Sequence, residues 1–421
     1  MLGRLRDHFP IVVLDQFDNP SRSEGEWNQR EITITNFGWY HPNPQHGMTY
    51  KRCKAMRHFN DAILAHKRFN ASAWQDLQQN PNPKRAIIAF LDYDTCQLFH
   101  WPKFGGNEFN ADTEGGRPQW TGPDWSEECS MIEQALRSPA LSSPDSRLVV
   151  ISCKDHASEG DYCLGANRDV SGIFSKLVVG HMSSHKNITY PLDFGMPPWP
   201  VKTAVLNQSQ IHEIETCRNT RPLLYSFIGR RRKPLPQFNA YMESLHGKDG
   251  VHAVFQVRHY MQSHHPLNAV GGSVLVQVAP ENQTKDDFYN LLMNSDFFAA
   301  PRGDCLYSVR FSEILSSGAI PVVFGDGWVL PYNEDVVDWT ELAVLLPQSR
   351  VNETVDVIRA IPNETRCQMQ KKGLDFFQRY VADSAGRLSA VLQIVDAALA
   401  REKKNSNDPP MEFSAVPEYR R

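Results

Sequence analysis

At 421 residues the chain is longer than a single hydrophobic core usually serves, so two domains of about 200 residues each are expected. An apolar fraction of 41% with 10% aromatic residues supplies two cores and excludes general disorder. A net charge of −4 and a pI near 6.4 exclude an overall basic field that would recruit nucleic acid or an anionic membrane.

Met1 to Pro20 carries charges where a signal peptide needs its apolar core, and no stretch approaches the roughly 18 consecutive apolar residues of a membrane span. In the N-terminal half, the runs Ile11 to Leu14, Ala86 to Leu91, Leu148 to Ser152 and Leu177 to Gly180 read as strands of one parallel sheet. Between them, Phe104 to Asp124 is rich in Gly, Pro and Asn and reads as a surface loop near a binding site. Trp120 in this region and Trp125 just after it, with Trp199, are candidates to line a binding groove, against core or loop packing as the alternative. Pro197-Pro198-Trp199-Pro200 and the polar residues up to Thr220 read as the linker between domains.

From Arg221 onward, short apolar runs alternate with amphipathic stretches, the pattern of β-α units on a parallel sheet. The expected strands are Leu223 to Ile228, His252 to Val257, Asp296 to Ala300, Ala319 to Phe324 and Leu342 to Leu346. The expected helices are Gln237 to His246, Asp286 to Met293, Tyr307 to Ser317, capped by Gly318, and Glu353 to Ala360. After Met369, the spacing of Leu388, Val391, Leu392, Val395 and Leu399 predicts a long closing helix, and the tail beyond it reads as disordered. The expected division is therefore 1–205, 206–400 and a tail 401–421: an α/β protein with a parallel sheet in each of two domains.

Six Asn-X-Ser/Thr sequons occur, at Asn70, Asn187, Asn207, Asn282, Asn352 and Asn363, and lean towards the secretory pathway. The eight cysteines show no Cys-X-X-Cys pair and no zinc-ligand spacing; disulfides and free thiols both remain open.

Residues 296–332 hold the most informative chemistry. The loop Pro301-Arg302-Gly303-Asp304 leads from a strand into a helix whose free N–H groups would face the strand's C-terminal edge, where open α/β sheets bind anions. On that helix Arg310 and Glu313 share one face, with Phe311, Ile314 and Leu315 on the other. Arg can fork onto phosphate oxygens, and a Glu carboxylate can accept from both hydroxyls of a ribose diol. The same spacing also describes an ion pair on a solvated helix face. Upstream, Ser226-Phe227-Ile228-Gly229-Arg230-Arg231-Arg232-Lys233 places a glycine and four cations after a strand, and Arg230 is the cation nearest that strand's end. Such a turn neutralises a leaving diphosphate without a metal; alone, it would read as a solvated basic turn.

Arg302-Gly303-Asp304, Ser308-Val309-Arg310-Phe311-Ser312-Glu313, Gly318 to Val322 and Gly327 to Tyr332, with Asp338-Trp339 after them, resemble the donor-domain signature of exostosin-type glycosyltransferases. The resemblance extends upstream through the basic turn to Asp193 to Pro198, and downstream from Gln368 to Leu399. In the N-terminal half it is confined to Phe90 to Thr95 and Leu148 to Asp155. It implies a GT-B fold of two facing Rossmann-like domains, a UDP-sugar donor, an inverting reaction, a carbohydrate acceptor and a Golgi lumenal setting with an anchor and stem, neither of which this sequence displays.

The donor set implied is Gly229, Arg230, Arg302, Gly303, Asp304, Ser308, Arg310, Glu313 and Asp326. Candidate bases for the acceptor hydroxyl are Asp94, Asp155 and His156, each following an expected strand of the N-terminal half. Asp92-Tyr93-Asp94 also has the form by which metal-dependent transferases hold Mn²⁺ or Mg²⁺. It lies in the half opposite the diphosphate cradle, so the expectation is no cofactor and no required metal. A catalytically silent subunit that supports another transferase, or binds carbohydrate, is the reading from a different class, and homo- or hetero-oligomers fit either. No Gly-X-Gly-X-X-Gly follows an expected strand, which argues against a dinucleotide dehydrogenase.

Overall fold

The computed structural model describes residues 11–14, 59, 62–63, 65–67, 73–91, 132–152, 172–181, 192–198, 203–218, 221–229, 274–278, 285–301, 307–332 and 336–405. Among these residues the strands form two five-stranded sheets, and every strand pair is parallel. The α/β class read from the sequence is thus the observed one.

The first sheet contains β1 (Ile11–Leu14), β2 (Ile88–Leu91), β3 (Arg147–Ser152), β4 (Leu177–His181) and β5 (Phe194–Gly195), in an order across the sheet that follows the chain. Alternate residues serve opposite faces. Ile87, Ala89, Leu148, Val150, Leu177 and Val179 join Ala73 and Leu77 of α1 (Ala73–Gln79) and the 132–141 segment in one apolar cluster. Ile88, Phe90, Val149, Ile151 and Val178 belong instead to a larger cluster that runs into the C-terminal half. A sheet whose right-handed crossovers all step the same way has its connections on one face, so its other face needs a cover from elsewhere.

The second sheet has the order β10-β9-β8-β6-β7. Its strands are β6 (Leu223–Gly229), β7 (Val274–Val278), β8 (Ser295–Pro301), β9 (Ile320–Phe324) and β10 (Val344–Leu345). The expected strand and helix at 252–257 and 237–246 lie outside the described residues, and β7 is a strand the sequence reading did not find. Helices α3 (Lys285–Met293), α4 (Arg310–Ser316) and α5 (Thr354–Arg359) stand where the amphipathic stretches put them. Gly318 ends the α4 turn at φ +68°, a conformation that suits glycine, with its N–H donating to Leu315 O.

Two readings are corrected. The stretch taken as linker up to Thr220 contains helix α2 (Gln208–Glu215), opened by a capping box in which Asn207 and Gln210 bond reciprocally. The C-terminal stretch holds two helices, α6 (Asn363–Tyr380) and α7 (Ser384–Asn405), and α7 runs past residue 401, where the tail was expected to begin.

The two sheets meet through backbone. Gly195, at the end of β5, bridges Pro331, and its carbonyl accepts from Tyr332 N at 2.6 Å. A Cβ on Gly195 would stand 2.3 Å from Leu330 O, so only glycine admits this approach. Beside the bridge, Pro198 O accepts from the Ser312 hydroxyl at 2.7 Å and Pro197 O from the Arg387 guanidinium at 2.7 Å. Arg387, 1% exposed, also donates to Val381 O, so one buried cation ties the start of α7 to the end of the first sheet. Leu388, Val391, Leu392, Val395 and Leu399 of α7 lie in the same apolar cluster as Val149 and Ile151 of β3.

Candidate functional site

In an open parallel sheet, ligands collect at the C-terminal strand ends where the strand order reverses. The first sheet, as described, has no reversal, because its strands succeed one another in chain order. The second reverses between β6 and β8, whose C-terminal residues are Gly229 and Pro301. The sequences Pro301-Arg302-Gly303-Asp304 and Gly229 to Lys233 continue from the ends of these two strands, which pair with each other in the sheet through Ser226 and Phe298. Arg230 and Arg302, Gly303 and Asp304 themselves lie outside the described residues.

Following that loop, Tyr307 is buried, Ser308 is half-buried with its carbonyl accepting from Phe311 N at 3.0 Å, and α4 starts at Arg310. The helix has 7 residues and Val309 gives it no side-chain cap, so its dipole is a minor contributor and the chemistry rests on side chains. The Arg310 guanidinium stands 5.5 Å from the Phe288 ring centroid and 5.6 Å from that of Phe227, cation–π distances that fix the head group against α3 and β6.

The alternative of an ion pair on a solvated helix face does not hold for Glu313: everything from Phe311 to Ser316 is buried and Glu313 is 5% exposed. The reason is enclosure on several sides: α4 lies against β8, β9 and α6, and its two serines reach Pro198 and Ala204 of the segment between the sheets. A buried carboxylate demands hydrogen bonds. Tyr289, on α3 and 6% exposed, donates its hydroxyl to Glu313 Oε1 at 3.2 Å. Tyr289, Phe288 and Phe227 were not found from sequence; they come from other elements, and no spacing connects them to Arg310 or Glu313.

Asp326 is exposed in the turn after β9, where its Oδ1 accepts from Gln348 N at 3.0 Å. This bond ties the turn to the 3₁₀ segment Gln348–Glu353 that follows β10.

On the first sheet, Asp94, Asp155 and His156 lie outside the described residues, as do Asp92, the loop 104–124 and Trp120, Trp125 and Trp199. The C-terminal edge does hold a buried pair that the sequence did not signal. His181, at the end of β4, places Nε2 3.5 Å from Asp193 Oδ2, and Asp193 Oδ1 accepts from Val179 N at 3.0 Å. With Met196 N donating to His181 O at 2.7 Å, the pair locks β4 to the segment that runs into Gly195. Among the described residues no group of three or more His, Cys, Asp or Glu side chains is arranged to hold a metal ion, and no helix is long and apolar enough to cross a membrane.

Residues 153–361 match the exostosin GT47 domain. The chain is 29% identical over 130 residues to exostosin-2 of Homo sapiens, covering 30% of this chain and 18% of that protein. It is 36% identical over 94 residues to exostosin-1 of Drosophila melanogaster, 22% of this chain and 12% of that one. The match thus spans less than a fifth of either relative. Among solved structures, a glycosyltransferase from Rickettsia africae ESF-5 aligns over 96% of this chain and 100% of its own, at 10% identity and a TM-score of 0.30. The domain match over residues 153–361, just under half of the chain, and the exostosin relatives support an exostosin-family glycosyltransferase.

Proposed function

We propose that the chain is a glycosyltransferase that takes a UDP-sugar at the β6/β8 reversal of the second sheet and transfers the sugar, with inversion, to a carbohydrate acceptor held against the first. The observation that carries this reading is the pairing on α4 of a half-buried arginine and a buried, tyrosine-bonded glutamate beside that reversal. Arg310, held over two aromatic rings, is poised to fork onto diphosphate oxygens. Glu313, oriented by Tyr289, offers acceptors to a ribose diol. Gly229, Arg230, Arg302, Gly303, Asp304, Ser308 and Asp326 complete the proposed donor set.

In the reaction proposed, the acceptor oxygen bonds to the anomeric carbon as the bond from that carbon to the diphosphate oxygen breaks. UDP leaves with the electron pair, stabilised by the arginines. The acceptor proton passes to a base on the first sheet's side, for which Asp94, Asp155 and His156 are the candidates. Residues 1–205 form the acceptor side and 206–400 the donor side in this reading, and no metal is required. The setting we infer is the Golgi lumen; the Cys217–Cys367 disulfide supports an oxidising compartment.

The test is a calorimetric titration with UDP, in EDTA and then with Mn²⁺. Binding in EDTA is expected, and Arg310→Ala should weaken it at least about tenfold with an unchanged circular dichroism spectrum, the loss typical of one charge-assisted contact. Binding only with Mn²⁺ would transfer the donor to Asp92 and Asp94. No binding by the wild-type protein under either condition overturns the donor site and favours a silent subunit.

A further inference from the structure

We infer that the α2–α6 side of the second sheet is a glycan-bearing face, modified at Asn207 and Asn363. Asn207, Gln208 and Ser209 are all exposed, and so are Asn363, Glu364 and Thr365. Each sequon thus presents the reacting amide and the hydroxyl by which the sequon is read. Asn352 differs: its threonine, Thr354, is 0% exposed and bonds the backbone at Val351 O, whereas the exposed Ser209 hydroxyl bonds a side chain, Glu213 Oε1, at 3.3 Å.

The cap made by Asn207 is compatible with modification. Its Oδ1 accepts from Gln210 N at 2.9 Å, whereas the atom that reacts is Nδ2. In the transfer, that nitrogen bonds to the anomeric carbon of an oligosaccharide carried on a lipid diphosphate. The carbon–oxygen bond to the diphosphate breaks, the diphosphate leaves with the electron pair, and the amide gives up one proton. The amide carbonyl persists, and the helix keeps its cap.

Position separates this face from the donor site. Arg366, one turn into α6, pairs with Asp296 at the start of β8, and Arg221, just after α2, bonds Ser295 O and Ser317 O, immediately before or at the starts of β8 and β9. Ala204 N donates to Ser316 at the far end of α4. Asn207 and Asn363 therefore lie towards the N-terminal edge of the second sheet, opposite the strand ends that carry the β6/β8 reversal. The Cys217–Cys367 disulfide joins the same two helices, and it forms in the compartment class where such glycans are attached. Bulky glycans on this edge leave the donor site open.

The inference reads asparagines and not the nucleotide, so it stands or falls independently of the donor reading. The full-length protein, isolated from the cells that make it, is digested with peptide:N-glycosidase F in heavy-oxygen water and mapped by mass spectrometry. Conversion to labelled aspartate is expected at both Asn207 and Asn363. Ser209→Ala and Thr365→Ala should each remove one glycan's mass, with both asparagines kept in place. An unmodified asparagine at either position overturns the proposal, as does modification confined to Asn352.

Discussion

Asp296 shows what a buried charge costs this fold. It lies 3.0 Å from Arg366, with Gln370 as a second donor, and burial holds its carboxyl above the ordinary value of 3.8 despite the arginines Arg366 and Arg221 beside it. Desolvation outweighs attraction here. The folded state then binds this proton more tightly than the unfolded chain, so the group's contribution to stability falls as pH rises from 3.8 through its raised folded value and is flat above it. Asp296→Asn should remove that slope and cost no more than about 1 kcal/mol at pH 7, because a neutral isostere sheds the desolvation penalty. Arg366→Ala should cost about 3 kcal/mol, because it strands the ionised carboxylate. Urea unfolding of both variants across the acid range checks the asymmetry. Arg221 is the companion case: burial lowers it to about 10, and its guanidinium nevertheless braces three carbonyls, Leu292 O, Ser295 O and Ser317 O.

At the scale of elements, α2 ends in a Schellman arrangement whose left-handed residue is Cys217, at φ +57°, where glycine is usual. The disulfide to Cys367 holds that strained residue and fastens α2 to α6 across 150 residues of chain. Closing so long a loop stabilises by about 2–4 kcal/mol, so Cys367→Ser should lower the urea midpoint correspondingly without changing the far-ultraviolet spectrum. These same elements show where sequence reading stopped. Strands β2, β3, β4, β6, β8 and β9 are continuous apolar runs and were legible, whereas β5 is two residues and carries no pattern. Helix α2 was read as linker although its Asn207/Gln210 box was a visible signal. The start of α6 was missed because its buried side is built from Cys367, Gln370 and Gly373 as well as Met369, Leu374 and two phenylalanines, which blurs the helical period. In the candidate site, Arg310 and Glu313 were legible from spacing and family signature. Tyr289 and Phe288 were not, because only tertiary packing brings α3 against α4.

For the whole molecule, the Gly195 bridge is the most exacting point. A methyl group there meets backbone atoms of Leu330 and Val329, which cannot step aside as a side chain can. Gly195→Ala should therefore cost about 3 kcal/mol and, since the contact is between the sheets, lower the midpoint for both halves together. Fluorescence and circular dichroism melts that shift in step would establish this, whereas separate shifts would show that the halves unfold independently.

The apolar cluster shared by β3 and α7 also bears on synthesis. A chain leaves the ribosome from its N-terminus, and N-terminal domains usually fold while the remainder is still being made. Here the cluster that lines one face of the first sheet takes in Leu388 to Leu399, among the last described residues to emerge. The earliest strands therefore keep Val149, Ile151 and Val178 uncovered until α7 has been translated, an exposed apolar surface of the kind that chaperones cover.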